Sequence, residues 1–257
     1  MLKTVNEVRS QISPNLQKLL NDSLLESDDL RPLMFGDEQE FKTIKGKLFS
    51  AEINACFSPF EDRFIIFLKQ IYKIGSKEEC DIAHEIGHLW LLLLGLPPEK
   101  KTTNRARQVA WDTFFGPLRD IMEHAVYYPL IKNKYKIDLY KIGKERLDNF
   151  IKSQLPNLKN ESEPEKLLLM LNYIKYEVES DDHYALEKLQ IAYSNKALDV
   201  KNVADRLLPV VKKLANTKDV QFFISQYQKA LKILDTHFCI PAKLWPNFAT
   251  QINTCRL

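Results

Sequence analysis

The feature that most constrains the fold is where glycine stops. All seven glycines fall at or before Gly143, so the remaining chain lacks the residue on which tight turns and strand bends most depend. Such a stretch suits uninterrupted helices joined by short polar links. Apolar spacing predicts helices over about Ile142–Gln154, Glu165–Glu179, His183–Asn195, Val200–Ala215 and Asp219–Phe238. Asn157–Pro164 and Ser180–Asp182 read as links. No fixed-period repeat marks a solenoid.

The front of the chain has a different character. Val5, Val8, Ile12, Leu16, Leu19 and Leu20 stand at helical spacing, which predicts one amphipathic helix ahead of the acidic stretch Glu26–Asp29. β-branched and aromatic residues gather at Lys47–Phe57 and Arg63–Leu68, predicting two antiparallel strands joined by a loop. Ser76 and Glu79 have the spacing of a helix cap, so a helix is expected over Lys77–Leu94, stopped by Gly95 and Pro97-Pro98. Lys100–Gln108 reads as a loop and Val109–Phe115 as a helical stretch, interrupted by Gly116-Pro117. Pro117 then opens a helix carrying Asp120 to Tyr128, which Pro129 kinks or ends. The expected class is α+β, predominantly helical: a short antiparallel sheet with active-site helices in residues 1–135, then an all-helical region in 136–257.

Composition narrows the function classes. The 257 residues are 45% hydrophobic and 28% charged, which excludes disordered, collagen-like and disulfide-scaffold proteins. Lys+Arg 37 against Asp+Glu 34 gives +3, too even to point to nucleic acid or a membrane surface. Cys56, Cys80, Cys239 and Cys255 form no close pair, and the first twenty residues lack the apolar core of a signal peptide. A cytoplasmic location is expected. The most apolar run, Leu89–Leu96, is well short of the roughly 20 residues that span a bilayer.

Two of the five histidines stand four apart in the best-supported helix, as His84-Glu85-Ile86-Gly87-His88. Residues four apart share a helix face, so His84 and His88 can place two imidazole nitrogens on one zinc ion. Zinc sites that do chemistry keep a position open for water, and an adjacent carboxylate serves as general base, which makes Glu85 the candidate base. By helical phase Asp120, Glu123, His124 and Tyr127 share the polar side of the next helix. Glu123 is the expected third ligand, with His124 as the alternative, because neighbouring helical residues diverge by about 100° and do not both reach one metal. Asp120 could orient a ligand histidine, and Tyr127 could stabilise an oxyanion.

At these residues the chain resembles the zincin metallopeptidases of the gluzincin type, in which H-E-x-x-H is followed on a later helix by a glutamate ligand. The resemblance spans Lys47 to Tyr128 and looks like that of small intracellular zincins related to regulators that cleave repressors. It implies a Zn2+-dependent peptidase with His84, His88 and Glu123 on the metal and Glu85 activating water. It also implies that strand Arg63–Leu68 is the sheet edge pairing with an extended peptide substrate. The alternative function is a catalytically silent zincin scaffold acting as a regulatory or protein-interaction module.

Other features carry less. His183 and His237 stand alone and read as ordinary surface or core histidines, and the cysteines read as small hydrophobes. Lys132–Lys159 is basic but has few aromatics among its charges, which fits a solvated helical face better than a nucleic-acid surface. Of Trp111, Phe114, Phe115, Tyr127 and Tyr128, most read as core, with one or two available to line a pocket. The expected partners are a peptide or protein substrate and a protein partner on the C-terminal helices, with no membrane.

Overall fold

The computed structural model describes residues 2–25, 29–46, 54–69, 74–97, 104–158 and 162–238. The fold is α+β and predominantly helical. The chain divides into two compact units, one of Met1–Leu96 with Leu130–Leu139, the other of Pro97–Pro129 with Tyr140–Leu257. The helix expected to carry the third ligand thus groups with the C-terminal helices.

In the first unit, β1 (Lys3–Thr4) runs into α1 (Val5–Arg9), followed by α2 (Pro14–Leu25). The single N-terminal helix expected from apolar spacing is therefore two. Thr4 caps α1 through a reciprocal pair of hydrogen bonds with Glu7, and Pro14 opens α2 as a residue needing no N–H donor there. Then come β2 (Leu33–Gly36), α3 (Glu38–Lys45), β3 (Ala55–Pro59), β4 (Phe64–Leu68) and α4 (Ser76–Leu93). The strand order is β1-β2-β4-β3, with β2 parallel to β4 and the other pairings antiparallel.

Strand β4, Phe-Ile-Ile-Phe-Leu, is buried at every position, as an interior strand covered on both faces should be. The expected pairing of two antiparallel strands holds for β3 with β4, while residues 47–53 of the first expected strand lie outside the described residues. On one face Phe41, Ile65 and Phe67 form a small core, with the Phe41 and Phe67 rings edge to face at 5.2 Å.

Helix α4 packs on α2 and β3. Its cap differs from the expected one. Glu78 accepts the Gly75 N–H at 2.9 Å, and Glu79 instead accepts the Ser13 N–H from the start of α2. Gly95, at φ 97°, ends the helix in a conformation that side chains resist.

The second unit begins with α5 (Arg105–Ala110), capped by Asn104, where a loop was expected over much of the same stretch. The expected break at Gly116-Pro117 does not occur. Trp111–Phe115 forms a π-helical turn, in which the Gly116 N–H reaches back five residues to the Trp111 carbonyl, and α6 (Gly116–Leu130) continues from it. Pro117 cannot donate and its ring crowds the preceding turn, so the helix widens there rather than stopping. Pro129 lies inside α6, and a second π turn, Ile131–Tyr135, belongs to the first unit.

The remaining helices are α7 (Tyr140–Ser153), α8 (Glu163–Glu179), α9 (His183–Lys196), α10 (Leu198–Lys212) and α11 (Val220–Phe238), close to the predicted bounds. Helix α10 packs against α8, α9 and α11. Among the described residues no helix is long and apolar enough to cross a membrane.

Candidate metal centre

Helix α4 carries the H-E-x-x-H residues. Ile82, Ala83, Ile86, Leu89, Trp90 and Leu91 are buried, which fixes the rotation of the helix and leaves His84 and His88 half-buried, one turn apart. Their Nε2 atoms are 3.3 Å apart, and the rings meet edge to face with centroids 4.9 Å apart. Two nitrogens about 2.05 Å from a tetrahedral zinc stand about 3.3 Å from each other. The pair therefore has the spacing of two ligands of one ion. Without a metal, the same approach is that of an N–H···N hydrogen bond.

Glu85 is buried. Its Oε2 accepts the backbone N–H of Phe57 at 2.7 Å, and its Oε1 lies 3.9 Å from His84 Nε2. The donor comes from the edge strand. In β3 the even-numbered residues are the ones that face β4 with their backbone hydrogen-bonding groups, as the flanking bonds Lys69 N–H to Asn54 and Phe60 N–H to Arg63 show, so the Phe57 N–H points away from β4. This corrects the reading of Arg63–Leu68 as the sheet edge: β4 lies between β2 and β3, and among the described residues β3 is an edge strand, the one that meets the candidate base. Sequence reasoning missed Phe57 because its contribution is a backbone donor.

Helix α6 places Glu123 and His124 in the second unit. The polar side expected for this helix is not a solvated one, since every residue from Ile121 to Tyr128 is buried. Buried polar side chains need partners. Glu123 Oε1 accepts from Arg119 Nε at 2.6 Å, one turn earlier on the same helix. This pair sits beside Tyr227, whose phenol burial pushes far up, with Arg119 opposing and Glu123 adding.

His124 Nδ1 lies 2.6 Å from Glu179 Oε1, and the two side chains are 1% and 0% exposed. Its Nε2 is 3.5 Å from Asp120 Oδ1, and Asp120 is half exposed. Burial pushes the Glu179 carboxyl up. The charge and hydrogen bond of His124, helped by Lys175 and Arg146, pull it down further, leaving it below its ordinary value.

Sequence reasoning also missed Glu179. The signal available was its position on the last turn of α8, where an anion opposes the helix dipole and needs a partner to hold it.

Asp120 thus lies where the phase argument put it, near His124. Tyr127 is fully buried, its ring edge to face with His124 at 5.5 Å. His183 is exposed at the start of α9, and His237 is exposed beside Arg206 at 3.0 Å. Cys56 and Cys80 are half-buried, and Cys239 and Cys255 lie outside the described residues. No protein-family model, curated protein or solved structure matches the chain.

Proposed function

We propose that the chain is a zinc-dependent metallohydrolase, most simply a cytoplasmic peptidase, with His84, His88 and His124 as metal ligands and Glu85 as general base. The observation that carries the reading is the 3.3 Å separation of the His84 and His88 Nε2 atoms within one H-E-x-x-H turn. His124 is preferred to Glu123 because Arg119 already neutralises Glu123, whereas His124 meets a buried carboxylate through Nδ1, the usual support of a metal-bound histidine. The donor set is then three histidines, in place of the two histidines and glutamate of the gluzincin type.

A zinc ion held there supplies Lewis acidity that lowers the pKa of water towards neutrality. Glu85 takes the proton of the water that attacks the scissile carbonyl and delivers it to the departing amine. The Phe57 N–H fixes one oxygen of that carboxylate, so the base enters the reaction already oriented.

The test is metal content with peptide hydrolysis. Purified protein should hold about one zinc per chain. Glu85→Gln should keep the metal and lose at least about 100-fold in hydrolysis of an unstructured peptide pool, and His88→Ala should lose the metal. Wild-type protein that takes up no zinc would sink the proposal, while zinc binding with no cleavage in wild type would favour a silent scaffold.

A further inference from the structure

The proposed hydrolysis leaves the buried charge of Glu179 unused. Glu179 is 0% exposed, and its two oxygens lie 2.6 Å from His124 Nδ1 and 3.6 Å from Arg146 Nη1. A buried ion pair is a poor source of stability, since an apolar pair of the same volume often serves as well or better. The carboxylate also sits at the unfavourable end of the α8 dipole. Such an arrangement calls for a reason beyond packing.

The surrounding contacts fix its position. A Cβ on Gly143 would lie 1.7 Å from the Glu179 carbonyl oxygen, so only glycine lets α7 approach the end of α8 this closely. Three residues further along α7, Arg146 faces the Glu179 carboxylate. Lys144 pairs with Asp182 at 2.9 Å, just beyond the helix end. Helix α7 therefore holds the backbone, the charge and the following link of the residue that meets His124.

We propose that Glu179 is a positioning residue for the metal centre: by accepting the Nδ1–H of His124 it selects the tautomer whose Nε2 lone pair is the metal donor. This inference rests on the reading of His124 as a ligand. It goes beyond that reading by assigning the role of its partner.

The experiment is a mutant cycle read as zinc affinity, by competition with a chromophoric chelator, on the full-length chain. Glu179→Gln should weaken zinc binding about 10- to 100-fold in the wild-type background. In the His124→Ala background, it should weaken binding no further. Unchanged affinity for Glu179→Gln, or an equal loss in both backgrounds, would overturn the positioning role. The ligand reading fails separately, if His124→Ala alone binds zinc as tightly as wild type. Nitrogen-15 NMR of the wild-type imidazoles covers the case in which Glu179→Gln does not fold. A protonated Nδ1 on His124 with zinc bound supports the role, and a protonated Nε2 overturns it.

Discussion

At the scale of single residues, the division of labour on α6 is the sharpest claim. Glu123 and His124 are adjacent and both buried, yet their partners differ in kind: a guanidinium takes the carboxylate and a carboxylate takes the imidazole. Glu123→Gln should therefore retain zinc within a few-fold of wild type, whereas His124→Gln should weaken zinc binding far more while leaving a measurable affinity through His84 and His88, as equilibrium dialysis would show. The reverse pattern would restore the glutamate as ligand. The H-E-x-x-H pair was legible from sequence because its spacing is local to one helix. The choice between Glu123 and His124 was not, because it turns on Glu179, 55 residues further on. Nor does helical phase alone reveal that both sides of α6 are covered.

Among elements, legibility followed contact range. The C-terminal helices were readable because glycine is absent and the apolar period is regular. The edge of the sheet was not, because the four-residue β2 pairs in parallel with a strand met only after α3 and β3. The π turns escaped for a related reason: Gly116-Pro117 reads as a break, yet a helix can widen by one residue and continue. One element contact offers a test of its own. Asp22 of α2 accepts a hydrogen bond from Tyr135 at 2.9 Å and pairs with Lys134 at 2.9 Å on the second π turn. The Lys134 hydrogen bond lowers its pKa, burial opposes, and Tyr135 adds to the lowering. A carboxyl whose folded pKa is depressed contributes stability above its unfolded value, about 3.9, and that contribution is lost as pH falls through the folded value. With both partners partly exposed, Asp22→Asn should cost no more than about 1 kcal/mol at pH 7. Urea unfolding should show the gap closing at a pH below both values, and a gap independent of pH would refute the assignment.

Over the whole molecule, a metal that binds only the folded chain adds to stability by mass action. At 100 times its dissociation constant, zinc should add about 2.7 kcal/mol. Thermal melts should shift upward with zinc, fall back with chelator, and remain unmoved in His88→Ala. A wild-type melt indifferent to both additions would count against the proposed centre. Each compact unit draws on two separate stretches of chain, the first closing with Leu130–Leu139 after the second has begun at Pro97. A gene exchange with a single crossover, wherever it falls, leaves at least one unit with segments from both parents. Unlike domains strung end to end, these two offer no point in the chain at which a single exchange leaves both units of undivided parentage.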